Sequence, residues 1–465
     1  MAILPLLACL VPTLTPTTTR QLSHIILALL TLTGRVTMLG LARWAEPGGS
    51  YRTIQRFFAT AIPWASVFWL FFRQHLFAPD ELYILAGDEV VVSKAGKHTH
   101  GLDRFFSGLL AKPVPGLAFF SLALVSTTTR RAFPLRLEQV VRTPEEKAAS
   151  AVKRAAKKTA LPAAKRPVGR PKGSRNRPKT DLPLSPELQR IQRALQAQLQ
   201  LFAGVLAVRY VALDGHFGNS PSLQMVRACD LHLISKLRND VALYVPYAGP
   251  YAGRGPHRKY GAKLDWAALP AEYLRQTSVT AGIETRMYQA QLLHKEFGQP
   301  LNVVVLVKTN LHTQATARVI LFSSDLALGY EQIIEYYGLR FQIEFTFRDA
   351  KQHWGLEDFM NVTETGVTNA ANLALFMVNL STVLLTELRQ TDPACSVLDL
   401  KAAYRGHKYV AATIKMLPQK PIPTPIRRHR DGTHRHECGP SAPPARKSAP
   451  LYPRPVDPEA FLLSR

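Results

Sequence analysis

The hydrophobic pattern divides the chain into a helical front part and a strand-rich remainder. Residues 20–80 carry apolar side chains at helical spacing, as in Leu22, Ile25 and Leu29, and this spacing predicts a set of helices. Ser50 follows a Pro-Gly-Gly break and is a residue type that often begins a helix as its N-cap. The front of the chain is therefore predicted to be an all-helical domain.

From residue 82 onward, short apolar and β-branched runs replace the helical spacing. These runs predict strands at 83–92, 116–129, 133–141, 205–213, 241–244, 303–307 and 319–322. Helical spacing returns near 221–236, at 330–352 and at 367–388. The alternation of strands and helices predicts an α/β fold behind the helical front domain.

The charge of the chain indicates a polyanionic partner. Lys and Arg number 58 against 33 Asp and Glu, which gives a formal net charge of +25 and a pI near 10.1. Nucleic acid is the commonest partner of such a protein, although a merely cationic surface is the alternative. The helix after Ser50 mixes basic and aromatic residues, so the front domain either reads DNA or is an ordinary bundle packed on the next domain.

Cysteine usage and the apolar segments favour a cytoplasmic protein. The four cysteines lie far apart without paired spacing, which argues against a disulfide framework and a Cys-rich zinc site. Residues 1–10 are apolar but lack the basic start of a signal peptide. Residues 25–32 are too short to span a bilayer, so we expect no membrane partner.

A basic segment interrupts the predicted sheet. Between Lys147 and Lys179 there are twelve Lys or Arg and no Asp or Glu, so a flexible insertion is predicted. Its sequence from Arg166 through Arg170 to Lys172 resembles an AT-hook, an extended Arg-Pro segment that lies in a narrow A·T minor groove. DNA contact by these three residues is the hypothesis, and a solvated basic linker is the alternative.

One predicted helix, 330–352, carries a distinctive stripe. On an ideal helix, Tyr337, Arg340, Glu344 and Lys351 fall within about 60° of one another, whereas the other acids of this helix lie well away. A lone Arg-Glu pair four residues apart is ordinarily a solvated pair that stabilises a helix by a few tenths of a kcal/mol. The combination of four such residues on one face indicates a functional site.

The spacing of this stripe is similar to the Y-R-E-K signature of cut-and-paste insertion-sequence transposases. These are DDE enzymes with an RNase H-like catalytic core. The chain also has acids at the two remaining positions of that family, namely Asp88 within the first predicted core strand and Asp214 at the end of a later one. Taken singly, Asp88 could instead cap a turn and Asp214 could be a turn residue before Gly215.

The resemblance covers roughly residues 20–390 and implies a site and a reaction. It implies that Asp88, Asp214 and Glu344 hold two Mg²⁺ ions, for which Mn²⁺ can substitute, and that they cleave DNA. The freed 3′-hydroxyl would then join to target DNA. The remaining signature residues would bind DNA phosphates, and they are Tyr337, Arg340 and Lys351.

The resemblance also implies a layout and a dimer on paired element ends. The predicted layout comprises a helical domain (1–80), core segments (81–141, 184–246 and 311–392), a basic insertion (142–183), a β-rich inserted subdomain (247–310) and a basic Pro-rich tail (393–465). Two alternatives stay open: a metal-dependent nuclease of RNase H fold that never joins DNA, and a decayed transposase that only binds DNA.

Overall fold

The computed structural model describes residues 3–45, 48–108, 111–148, 152, 183–251, 253 and 255–417. The AT-hook-like segment with Arg166, Arg170 and Lys172 lies outside these residues, as does the tail from residue 418. The mixed α/β class predicted from the sequence is confirmed. Domain limits predicted from the sequence stay predictions.

Helices dominate the front of the chain and recur after the strands. Their bounds are α1 Ile3–Leu7, α2 Pro16–Thr31, α3 Met38–Trp44, α4 Tyr51–Ala59, α5 Trp64–His75, α6 Pro186–Phe202, α7 Ser220–Arg227, α8 Tyr330–Leu339, α9 Gln342–Trp354, α10 Glu364–Arg389 and α11 Val397–Met416. Several begin at a side-chain cap, and Ser50 caps α4 as expected, since its hydroxyl accepts the N–H of Thr53.

One mixed sheet of twelve strands forms the centre of the described chain. Its strands are β1 Tyr83–Ser93, β2 Asp103–Ser107, β3 Lys112–Ser126, β4 Ala132–Val140, β5 Tyr210–Ala212, β6 His232–Leu237, β7 Leu243–Pro246, β8 Tyr260–Lys263, β9 Leu274–Thr280, β10 Ile283–His294, β11 Leu301–Asn310 and β12 Thr316–Ser323. The order runs β2-β3-β1-β5-β6-β12-β11-β10-β7-β8, with β4 also paired to β3 and β9 to β10.

The half of the sheet that carries the predicted acids is built around β1. β1 is antiparallel to β3 and parallel to β5, and β5 is parallel to β6. β3 is a long apolar run, buried along most of its length, as expected for a strand covered on both faces. This arrangement is consistent with the RNase H-like core that the resemblance implies.

Two sequence predictions about the middle of the chain are wrong in detail. The helix expected over 221–236 ends at Arg227, because Asp230 adopts a left-handed backbone (φ +56°) that turns the chain into β6. The strand expected over 205–213 is only Tyr210–Ala212. The chain before it leaves α6 through a turn at Gly204, where φ is +77°.

The helix predicted over 330–352 is two helices, α8 and α9. At the junction, Phe341 donates its N–H to the carbonyl of Gly338 (3.2 Å), and Glu344 donates to that of Phe341 (3.0 Å). These bonds span three residues instead of four, which tightens the chain locally. The predicted stripe assumes one uninterrupted helix, so the angles between Tyr337 on α8 and Glu344 on α9 hold only approximately.

The helical front part is joined to the core through α10. The Asn369 side chain, on α10, donates to the carbonyls of Phe57, Phe58 and Thr60 (2.7–3.3 Å) and accepts the indole N–H of Trp64 (2.8 Å). Such a buried amide is stabilising because its donors and its acceptor all have partners. α10 is also long and apolar enough to cross a membrane by length and composition, yet 72% of its most apolar window is buried within the protein.

The end of the described chain is helical. α11 begins at Ser396, whose hydroxyl accepts the N–H of Asp399 while the Asp399 carboxylate accepts the N–H of Ser396. This capping box shows why the start of the segment predicted as a tail forms a helix. Lys401 of α11 donates to the carbonyl of His353 (3.1 Å), so α11 contacts the end of α9.

Candidate active site

Asp88 and Asp214 lie at the same level of two adjacent parallel strands. Ala86 of β1 pairs with Ala212 of β5, and each acid follows two residues later. Continuing that register places the two acids side by side on one face of the sheet, since alternate residues share a face. Neighbouring strands are about 4.8 Å apart, so the two carboxylates are close neighbours.

The close approach of the two strands depends on Gly87. A Cβ atom at this position would lie 2.8 Å from Cδ2 of Leu213 and 3.0 Å from Cζ of Phe120. A side chain at position 87 would therefore push against the strand pair at the residues that precede the acids. The glycine explains how a buried β run reaches Asp88 without separating it from Asp214.

Asp214 is held by the turn that follows it. Its Oδ1 accepts the N–H of His216 (3.0 Å), and its carbonyl accepts the hydroxyl of the buried Ser235 (2.7 Å). The residue thus caps the short 3-10 turn Gly215–Phe217 in an extended backbone conformation. Asp214 can be both a turn residue and a residue of the site, because the hydrogen bond of the cap is accepted by Oδ1 and not by Oδ2.

Arg340 connects the strand acids to Glu344. Its Nη1 lies 3.4 Å from Oδ2 of Asp88, and its Nη2 lies 3.6 Å from Oε1 of Glu344. The guanidinium is 13% exposed, whereas Glu344 is 41% exposed, so the acid of α9 lies at the open side of the site. The arrangement gathers two of the predicted acids around one cation.

The charges of this cluster shift one another's pKa values. Burial raises the pKa of Asp88, and the nearby Asp214 raises it further, against the lowering effects of Arg340 and the N–H of Glu89. Burial acts to lower the pKa of Arg340, but Asp88, Tyr337, Glu344 and Asp214 outweigh it, so the net shift is upward. Arg340 therefore stays charged, while Asp88 is costly to keep ionised.

Tyr337 and Lys351 lie on the same side of the helix pair. Tyr337 is buried, with the Arg340 guanidinium 5.7 Å from its ring centroid, and burial raises the pKa of its hydroxyl. Lys351 donates to the carbonyl of Val91 in β1 (3.2 Å) and pairs with Glu357 (2.9 Å). In the protein alone, Lys351 links α9 to the catalytic strand, and its contact with phosphate stays a prediction.

A second lysine, Lys94, joins the end of β1 to the segment that follows α9. Lys94, just beyond β1, donates to the carbonyls of Glu357 (3.0 Å) and Phe359 (2.7 Å), and its ammonium lies 3.6 Å from the centroid of the Phe359 ring. Burial lowers the pKa of Lys94 to about 8. Lys351 thus holds α9 against β1, and Lys94 holds the segment that follows α9 against the end of the same strand.

Further charged residues, which the sequence analysis did not predict, lie around the site. Glu187 of α6 pairs with Nε2 of His216 (3.4 Å), which raises the pKa of His216. Glu89 has its pKa raised to about 6 by burial and then by the nearby Glu187. The Asp-Gly-His sequence at 214–216 was a local signal for His216. Glu187 had none, because only the fold brings α6 to this edge.

Lys236 extends the row of the two aspartates. Ala212 of β5 pairs with Ile234 of β6. When this register is extended by two residues, Asp214 lies beside Lys236. A cation thus stands next to the acids in a third parallel strand, on the same face. The carbonyl of Lys236 also packs closely on Gly218, where an added Cβ would lie only 2.1 Å away.

The mixed α/β fold has one acid within a strand, a second just beyond the neighbouring strand and a third on a later helix. This arrangement is similar to that of nucleases and transposases of the DDE type. The family model described as DDE superfamily endonuclease matches residues 9–294, which is more than half of the chain. The chain belongs to this family. No curated protein matches it.

The family match supports a nuclease- or transposase-type enzyme that acts on DNA. The matched residues include Asp88 and Asp214, whereas Glu344 lies beyond them, so the third acid rests on the geometry and the signature. The family is generally dependent on divalent metals, and the ion used by this chain is not identified.

The donor chemistry of the site suits a hard cation. Asp88, Asp214 and Glu344 offer carboxylate oxygens, which Mg²⁺ and Mn²⁺ prefer. In the part of the chain that the structure describes, no three His, Cys, Asp or Glu residues stand together as a ready metal site. Arg340, within 3.6 Å of two of the acids, supplies the positive charge at that place instead.

Proposed function

We propose that the protein is a transposase of the Y-R-E-K insertion-sequence type, which cuts element ends and joins them to target DNA. The observation that carries the proposal is the placement of Asp88 and Asp214 side by side on adjacent strands, with Arg340 joining Asp88 to Glu344 of α9. The match to the DDE superfamily endonuclease model supports the same reaction class.

The three acids have a defined part in this proposal. Asp88, Asp214 and Glu344 would together hold the two Mg²⁺ ions that the resemblance implies. Bound metal would stabilise the charge on the attacking and leaving oxygens of a phosphodiester. The raised pKa of Asp88 means that its carboxylate gains most from a neighbouring cation.

The signature residues would act on the DNA itself. Arg340 carries the fork geometry that suits phosphate oxygens, and DNA would draw it away from the acids that it pairs with in the free protein. Tyr337 lies next to the Arg340 guanidinium, whereas Lys351 lies further along α9, at Val91 of β1. In this role Arg340 exchanges its partners between the free protein and the DNA complex.

The proposal includes partners and a place of action. A homodimer would bring two element ends together, and the AT-hook-like residues Arg166, Arg170 and Lys172 would add sequence-tolerant affinity through the minor groove. Such affinity should fall steeply with salt. The cysteine usage suits a cytoplasmic protein that acts on bacterial DNA.

The experiment that tests the function compares wild type with Glu344→Gln on a plasmid that carries a mini-element, in Mg²⁺. The substitution keeps the shape of the side chain and removes its charge, so cutting and joining should stop while end binding survives. Undiminished cutting by the variant would refute the role of Glu344. Cutting without joined product in the wild type would favour the metal-dependent nuclease, and binding without cutting would favour a decayed transposase.

A further inference from the structure

A cavity of about 700 Å³ lies on the far half of the sheet, beside β6, β10, β11 and β12. Lys236, Arg286 and Arg318 line it, together with Trp266 and the hydroxyl-bearing residues Thr309 and Thr316. Among the described residues that line the cavity, none is an Asp or a Glu. Its walls therefore offer positive charge and hydrogen-bond donors but no carboxylate.

The two arginines are placed by strand register. Val307 of β11 pairs with Arg286 on one side and with Arg318 on the other, so both project from the same face of the sheet. Arg286 is paired with Glu284 at 2.9 Å. Arg318 has no acidic partner in the described part of the chain, so its charge is the less compensated of the two.

Arg318 is held in place without being fully satisfied. Its Nη2 donates to the carbonyl of Asn239 (2.9 Å), and its guanidinium lies 4.5 Å from the ring centroid of Trp266. The indole N–H of Trp266 is itself bound to the carbonyl of Val241 (3.2 Å). Within the described residues, Nε of Arg318 is buried and has no hydrogen-bond partner. A buried donor without an acceptor indicates a missing ligand atom that accepts.

The cavity lies near the proposed catalytic site but on the other face of the sheet. Lys236 is among the residues that line it, and the register of β5 and β6 places Lys236 beside Asp214. Lys236 pairs with Leu321 of β12, whereas Arg318 shares a face with Ile320, so Arg318 and the acids project from opposite faces. DNA that reaches both places would therefore pass the end of β6.

We propose that this cavity binds a backbone phosphate of the DNA substrate away from the bond that is cut, with Arg318 as the principal ligand. The inference rests on the proposed function, because it takes DNA as the substrate. An arginine fork matches two phosphate oxygens, and the free Nε–H of Arg318 gains an acceptor. Arg286, on the same face as Arg318, supplies a second positive charge.

The test is DNA binding in EDTA, measured by fluorescence anisotropy with a labelled duplex over a range of salt concentrations. Arg318→Gln should weaken binding by about tenfold and reduce the slope of log K against log salt by about 0.9, the value for one lost phosphate contact. Arg318→Lys should recover part of the affinity. Arg227→Gln is the matched control, because Arg227 is exposed on α7 outside the cavity and loses the same charge.

Arg286→Gln provides a second variant in case Arg318→Gln does not fold, as judged by circular dichroism and thermal melting. It should weaken binding in the same direction but less, since Arg286 is already paired. If each folded cavity variant binds DNA as tightly as Arg227→Gln, the proposal is overturned. Binding in EDTA needs neither cutting nor joining, so this result is independent of whether the protein proves to be a transposase.

Inorganic phosphate distinguishes a DNA phosphate from a free one. In the wild type, phosphate at millimolar concentration should compete with DNA, and in Arg318→Gln this competition should be lost. If Arg318→Gln abolishes phosphate binding in a calorimeter but leaves the DNA affinity unchanged, the cavity serves a free phosphate. That outcome would refute a role in DNA binding.

Discussion

Arg340 and the expected metal ions compete for the same carboxylates, and this competition can be measured without DNA. The guanidinium lies 3.4 Å from Asp88 and 3.6 Å from Glu344, at the place where a divalent cation would bind. Removing its charge with Arg340→Gln frees both acids. We therefore predict that this variant, though impaired in DNA chemistry, binds Mn²⁺ and Mg²⁺ more tightly than the wild type.

The distances set the size of the effect. At 3.4 Å and an effective dielectric constant of about 20, the attraction between Arg340 and Asp88 is about 5 kcal/mol before desolvation is subtracted. Glu344 is 41% exposed, so solvent reduces its pair to about 1 kcal/mol or less. The cost of removing the charges of Arg340 and Asp88 from water cancels most of the attraction between them. We therefore expect a net gain of about 1.4 kcal/mol, which corresponds to about tenfold in metal affinity.

Titration calorimetry with Mn²⁺ on the DNA-free protein measures this affinity directly, and thermal melting with and without metal gives a second readout. Arg348→Gln is the control, since Arg348 lies on the same helix, is 47% exposed and pairs with Asp349. Glu344→Gln should bind metal more weakly than the wild type. Equal Mn²⁺ affinity in Arg340→Gln, Arg348→Gln and wild type would refute the competition. Asp88 and Glu344 would then serve to bind Arg340 and not a metal ion.

Two further predictions concern the fold around the site. Gly87→Ala should destabilise the protein by about 1–3 kcal/mol in urea unfolding, because its Cβ would lie 2.8 Å from Leu213; stability equal to wild type would show that the strands can part at no cost. Lys401 is 8% exposed and burial lowers its pKa from 10.5 to about 8, so the native state binds fewer protons than the unfolded state between these pH values. The contribution of Lys401 to stability should thus rise from pH 8 toward 10.5, because its cost of about 3 kcal/mol is fully present below pH 8. This rise is measured as the difference in stability between the wild type and Lys401→Met. Lys401→Met should remove this rise and be about 2 kcal/mol more stable at pH 7, after the loss of the bond to His353; a less stable variant at pH 7 would contradict the burial cost.

Patterns along the chain were sufficient for the elements that bury apolar side chains. The runs that begin near Tyr83, Gly116 and Phe133 form β1, β3 and β4, because a continuous apolar segment has few alternatives in a covered sheet. Helix ends were less predictable. The helix break after Leu339 and the left-handed conformation of Asp230 each depend on the backbone conformation of one or two residues. Hydrophobic spacing carries no information about that conformation.

Residues that only the fold brings together were beyond the sequence. Glu344 could be selected because residues spaced three and four apart along the chain share a face of an ideal helix, which is a local property, even though the structure divides this helix into α8 and α9. Lys236 could not, since its position beside Asp214 follows from the register of parallel strands connected through α7. The same holds for Arg318, whose pairing with Val307 and contact with Trp266 join distant segments of the chain. Charge counting predicted a DNA partner but not where the cations would meet it.

The placement of the third acid depends on contacts outside the acids themselves. Asp88 and Asp214 are fixed by strand register, whereas Glu344 reaches them only if α9 is held against β1. Lys351 supplies that hold through the carbonyl of Val91 in β1, and Lys94 reinforces it by binding the carbonyls of Glu357 and Phe359, which follow α9. Since a carbonyl does not change its charge when metal or DNA binds, this link can persist while Arg340 exchanges partners. Under the proposed function, the site would thus combine a fixed frame with one cation that changes partners between successive phosphodiester steps.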